Sequence, residues 1–76
     1  MSQILEKMAQ ILTQDFGVSG DKINPKTNLS DLGIDSIDVV DVILRVEKFA
    51  NKNIDRHAFK KIKTIGDVVI AIENAN

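Results

Sequence analysis

The residues whose types and spacing could support chemistry gather in one segment, Asp31-Leu-Gly-Ile-Asp-Ser-Ile-Asp38. Ser36 offers a hydroxyl, and three acids stand around it. A serine nucleophile needs a base, a third group to orient that base, and an oxyanion site. His57 is the only histidine, and nothing supplies the third group, so a Ser36–His57 pair is not supported and His57 reads as a surface residue. The chain has no cysteine, which removes thiol catalysis, disulfides and thiolate metal sites together. Asp31, Gly33 and Asp35 have the alternate spacing of a calcium loop, but Ser36 stands where that loop needs glycine and its closing glutamate is missing. No metal site is expected. A serine at a helix start has another use. Unpaired N–H groups and the positive end of the helix dipole favour an anion there, so a phosphodiester on Ser36 would be stabilised.

That reading needs a helix beginning at Ser36, and the apolar spacing provides one. Val39, Val42, Ile43, Val46, Phe49 and Ala50 recur at helical period and form a core stripe over a helix from Ser36 to about Ala50. Ile37, Val40 and Leu44 form a second stripe on another side. Either this helix is packed on two faces, or the second stripe is exposed for a partner. An earlier helix carries Ile4, Leu5, Met8, Ile11 and Leu12, capped by Ser2 and ended by Gly17. Residues 17–35 read as a long loop, with a helical turn near Leu29–Leu32. Val18, Ile23, Leu29, Leu32 and Ile34 are available to tie it down. Gly33 lets the loop turn tightly beside Ser36. A short third helix spans Asp55 to about Ile62, with Asp55 as cap and Ala58, Phe59 and Ile62 facing inward. The last helix opens at Thr64 with Asp67 three residues on, close to a capping box, and carries Ile65, Val68, Val69 and Ile72. No strand alternation appears. The expected fold is all-α: a small four-helix bundle of three main helices plus a short third, with a long loop between the first two.

At this point Leu-Gly-Ile-Asp-Ser-Ile resembles the phosphopantetheine attachment motif of acyl carrier proteins. The likeness extends along the chain. It takes in the amphipathic first helix, the long loop, the Asp-Ser helix start, Ile54 after the central helix, and the run Lys61-Ile-Lys-Thr-Ile-Gly-Asp-Val-Val. The resemblance implies 4'-phosphopantetheine, taken from coenzyme A by a phosphopantetheinyl transferase and joined to Ser36, with Asp35 part of the recognised motif. It implies acyl groups carried as thioesters on that arm and a bundle able to open around them. It implies docking of acyl-transfer, synthase and acyl-ligase enzymes through Ile37, Asp38, Val40, Asp41, Leu44 and Ile54, and no catalysis by the chain itself. Family members are commonly acidic along the second and third helices. Here Arg45 and Lys48 interrupt the acids and the third segment is basic, so a specialised carrier, with partners that complement the basic block, stands as a hypothesis beside the general carrier of fatty-acid synthesis. An aminoacyl or peptidyl carrier is the nearest alternative, although Asp35 before Ser36 favours the acyl type. An unmodified helical interaction domain using the Ile37/Val40/Leu44 strip is another.

The composition agrees with a small carrier. Seventy-six residues allow one domain, 1–76. The net charge of -1 conceals an uneven distribution: residues 1–44 hold three Lys and seven Asp or Glu, whereas residues 45–63 hold seven Lys or Arg and two acids. Such asymmetry can steer partners. Nucleic acid is not an expected partner, because Trp and Tyr are absent and the overall charge is slightly negative. No apolar run approaches the ~20 residues of a membrane span, and no secretory leader pattern opens the chain. A monomeric cytoplasmic protein is expected.

Overall fold

The computed structural model describes residues 2–75. Four helices follow one another: α1 (Gln3–Asp15), α2 (Ser36–Ala50), α3 (Arg56–Lys60) and α4 (Ile65–Glu73). Two 3₁₀ turns, Gly20–Lys22 and Leu29–Asp31, lie in the loop between α1 and α2. Helices α1, α2 and α4 pack on one another, and α3 lies at the edge. Among the described residues the only extended pairing is a single antiparallel bridge between Asn28 and Thr64.

Each helix begins and ends where its sequence has a reason to. Ser2 caps α1, its Oγ accepting from the N–H groups of Ile4 and Leu5. Gly17, at φ 69, reverses the chain after α1, and the Val18 N–H then returns to the Leu12 carbonyl at 2.9 Å. Asn51 ends α2 in the left-handed region at φ 56, which asparagine tolerates better than most residues. Asp55 caps α3 as its position suggested, but α3 stops at Lys60, and Lys61 caps it. It is shorter than the expected Asp55–Ile62, because the chain must leave the helix to reach the start of α4. Thr64 and Asp67 form a full capping box: the Asp67 N–H donates to Thr64 Oγ1 and the Thr64 N–H to Asp67 Oδ2, each at 3.0 Å. Aspartate does here what glutamate usually does.

Met8, Ile11 and Leu12 of α1, Val42, Ile43 and Val46 of α2, and Ile65, Val68 and Ile72 of α4 interlock in one core. Removing such a side chain costs about 2–5 kcal/mol, a large part of what a domain this size has. One expected core residue is not there. Phe49 is 49% exposed. At about 100° per residue it sits roughly 80° from the centre of its stripe, at the edge of the face. It rests instead under Lys7, whose Nζ is 5.2 Å from the ring centroid. On the other edge of the stripe Glu47 is buried, and its carboxylate accepts from the Ile54 N–H. That bond holds the α2–α3 connection against the end of α2.

The long loop is fastened from two sides. Val18, Leu29 and Leu32 are buried, and Ile23 and Ile34 pack against the core. The other fastening is a backbone clasp to the start of α4. The Leu29 N–H donates to the Lys63 carbonyl at 2.8 Å, Ile65 to Thr27 at 3.0 Å, and Gly66 to Pro25 at 2.8 Å. Glycine is required at 66, because a Cβ there would stand 2.8 Å from the Pro25 oxygen.

Two outcomes follow from this packing. Gly66→Ala should destabilise the protein by about 1–3 kcal/mol in urea unfolding, although alanine is the better helix former; a stabilised variant would show that the clasp does not hold the loop. The second concerns Asp67, whose carboxyl is kept below its ordinary pKa first by the Lys63 N–H and then by the Thr64 N–H. A depressed folded pKa adds stability that is complete above the unfolded value of about 3.9 and is lost as pH falls through the lower folded value. Asp67→Asn should therefore trail the parent at neutral pH, with the gap closing as unfolding is repeated below about pH 4; a gap that does not change with pH would contradict this.

Candidate functional site

The chain turns from the loop into α2 at Gly33, where φ is +80. Asp35 is the cap: its Oδ1 accepts from the Asp38 N–H at 2.9 Å, and its carbonyl accepts from the Val39 N–H at 3.1 Å. Ser36 is the first residue of the helix and is exposed. Its hydroxyl makes no hydrogen bond among the described residues, and the capping work that a serine could do here is done by its neighbour. The free N–H groups of the first turn of a fifteen-residue helix converge at this end. The result is a free, accessible hydroxyl in a field that stabilises negative charge. A phosphodiester carried on Oγ fits this position, because it would project outward and displace no internal bond.

The second apolar stripe of α2 is on the surface. Ile37 is 77% exposed, Leu44 55% and Val40 40%. Of the two possibilities that the spacing allowed, packing on both faces is excluded. The three residues run down one side of α2 from Ser36. Ile54 does not join them: it is half-buried and packs against the core. The acids beside the strip are unequal. Asp35 is occupied by the cap, and Asp41 is paired with Arg45 at 3.1 Å. Asp38 has no such side-chain partner among the described residues. Arg45 also pairs with Asp15 at 3.0 Å and lies over the Phe16 ring, 5.2 Å from its centroid. These contacts join α1 to α2, and the guanidinium pKa is raised, foremost by the hydrogen bond to Asp41.

On the other side of Ser36 an open groove separates the loop from the segment after α3. Leu29, Ile34, Val39 and Ile62 give it apolar walls, and Ser30 and Lys63 stand among them. Sequence reasoning missed this grouping. Ile62 and Lys63 lie far along the chain from Ser36, and only the clasp between Leu29 and Lys63 brings them together. The Asp41–Arg45 pair, in contrast, was readable from its spacing of four on a helix.

A family model described as "Phosphopantetheine attachment site" matches residues 6–72, a span that includes Ser36 and all four helices in whole or in part. The chain is also 30% identical over 74 residues to "Acyl carrier protein 2" of Ralstonia nicotianae, covering 96% of this chain and 91% of that relative. Such carriers bear 4'-phosphopantetheine and interact with transferases and acyl-handling enzymes. The free serine at the helix start, the length, the helix order and these two matches agree: the chain belongs to the acyl carrier protein family, and it is a carrier and not an enzyme.

Proposed function

We propose that residues 1–76 work as one monomeric acyl carrier domain in the cytoplasm, with Ser36 as the attachment residue. The observation that carries this reading is the exposed, unbonded Ser36 hydroxyl on the first turn of α2, released from capping by Asp35. In the attachment step a bond forms between Ser36 Oγ and the phosphorus of the pantetheine phosphate. The phosphoanhydride bond of coenzyme A breaks, adenosine bisphosphate leaves, and the serine proton passes to a base of the transferase. Once attached, the arm supplies a thiol for thioester formation. The residues of this chain do the rest by position. Asp35 fixes the first turn and so the direction in which Oγ points. Gly33 keeps the approach free of a side chain. The groove walls Leu29, Ile34, Val39 and Ile62 offer an apolar lining next to the attachment point.

Partner enzymes dock on the face formed by Ile37, Val40 and Leu44, with Asp38 free to meet a cation beside it. Asp41 contributes less than its place suggests, since Arg45 already holds it. Aliphatic side chains this exposed on one helix face are a recurrent contact surface. The cargo goes to enzymes of fatty-acid, lipid or polyketide synthesis in a specialised pathway, a reading supported by the interruption of the acidic run at Arg45 and Lys48.

Two experiments test the proposal. Intact mass after incubation with coenzyme A, Mg²⁺ and a broad-specificity transferase should rise by one phosphopantetheine, and Ser36→Ala should show no rise. Failure of the parent chain to gain mass would return Ser36 to an ordinary surface serine and favour an unmodified docking domain. Leu44→Ala should leave thermal unfolding within about 0.5 kcal/mol of the parent. It should raise the apparent KM of an acyl-loading enzyme for the phosphopantetheinylated protein by about tenfold, the effect of losing a central contact; an unchanged KM would remove Leu44 from the docking face.

A further inference from the structure

The open groove beside Ser36 is lined by a single charged side chain, and it is a cation, Lys63. The main chain of Lys63 is fixed from two directions. Its N–H donates to Asp67 Oδ2 at 3.0 Å, and its carbonyl accepts from the Leu29 N–H at 2.8 Å. Its side chain is left over: Lys63 is exposed, and among the described residues its ammonium has neither an ion pair nor a hydrogen bond. Asp67, the acid beside it, is already turned to the Lys63 and Thr64 N–H groups. Asn28 and Ser30 also line the groove, and their side chains make no hydrogen bond among the described residues. The fixed charges next to Ser36 on α2 are negative. Asp35 precedes it, and Asp38 lies in the same turn. A phosphodiester on Ser36 adds a further negative charge at this place. The helix end offsets about half a charge, and the Asp35 carboxylate already draws on that offset at the Asp38 N–H.

We infer that Lys63 is a positioning residue for the phosphopantetheine arm: its ammonium pairs with the phosphodiester on Ser36 and turns the arm into this groove. The inference rests on the carrier reading and adds to it the direction in which the arm lies. The groove offers what the arm presents. Lys63 meets the phosphate. The aliphatic walls of Leu29, Val39 and Ile62 receive the geminal methyl groups next to it, and the unbonded side chains of Asn28 and Ser30 stand ready for its amides. A lysine suits the task, because its ammonium is a point charge on a flexible stem. The pair is exposed, so it is weak and salt-dependent. What it sets is direction more than stability. With the arm in the groove, Ile37, Val40 and Leu44 stay uncovered for a partner on the other face of α2. The neighbouring cations are placed elsewhere. Lys61 lines the groove between α3 and α4, and Arg45 is held by Asp15 and Asp41.

The test is nuclear Overhauser spectroscopy of the full chain after treatment with coenzyme A and transferase. It observes the geminal methyl protons of the arm against the methyl groups of Leu29, Val39 and Ile62. At about 20 mM salt the parent should show these cross-peaks. They should weaken about twofold to fivefold in Lys63→Gln, the range of an exposed ion pair, and by a similar factor in the parent at about 500 mM salt. Lys63→Arg should restore them. Lys61→Gln, which removes the same charge from the neighbouring groove, should leave them unchanged. The unmodified Lys63→Gln chain should give the parent amide spectrum except next to residue 63, which separates positioning from folding. Cross-peaks as strong in Lys63→Gln as in the parent would overturn the inference. So would their absence from the parent, or contacts of the arm with Ile37 and Leu44 in their place. The intact mass of each sample reports attachment separately. A parent chain that gains no mass overturns the carrier reading and this one together, whereas a mass gain without cross-peaks that depend on Lys63 overturns this one alone.

Discussion

The backbone clasp between residues 25–29 and 63–66 is the constraint on which the site depends. Residues 16–35 contain only two short 3₁₀ turns, and ordering such a stretch costs conformational entropy at every residue. Three hydrogen bonds from Leu29, Ile65 and Gly66 cross from this loop to the start of α4. Each contributes on the order of 1 kcal/mol net, but together with the buried Leu29 and Leu32 they fix where the loop delivers Gly33, Asp35 and Ser36. The same clasp carries Ile62 and Lys63 to the far side of Ser36 and so makes the groove. Gly66 allows the close approach, and the Thr64–Asp67 box anchors the α4 end of it.

Given that frame, the chemistry of the site is simple. One side chain caps the helix so that its neighbour need not. Asp35 takes the capping bond, and Ser36 keeps a free hydroxyl in the positive field of α2. The exposed strip of α2 and the buried stripe of the same helix are separated by its period alone. Glu47 and Arg45 mark the boundaries between these regions, one buried and bonded to the next loop, the other spanning α1 and α2. Electrostatics divides the surface around the serine. On the α2 side Asp38 has no side-chain ion pair, and on the α3 side Arg56, Lys60 and Lys61 have none among the described residues.

Most of this was legible from the residues. The helices follow from apolar spacing and from caps at Ser2, Asp55 and Thr64, and the Asp-Ser helix start from the punctuation before it. Phe49 was misplaced because a residue at the edge of a stripe is decided by what packs beside it, and Lys7 on another helix decides it. The end of α3 was misplaced because the geometry of its exit is set by α4. The burial of Glu47 leaves no mark in the sequence, since nothing local reveals that the Ile54 N–H needs an acceptor. The groove beside Ser36 was invisible because its two walls meet only through the clasp. Whether the second stripe of α2 was buried or open could not be settled by period, which gives the face and not its neighbour.

The central claim is that attachment occurs at the serine of the first turn of α2 and nowhere else. Fragmentation mass spectrometry of the modified chain addresses it directly, because Ser2, Ser19 and Ser30 are internal controls in the same molecule. The account predicts that the added phosphopantetheine lies wholly on fragments containing Ser36, with Ser30, at the edge of the same groove, unmodified. Modification at Ser30, or spread over several serines, would contradict it.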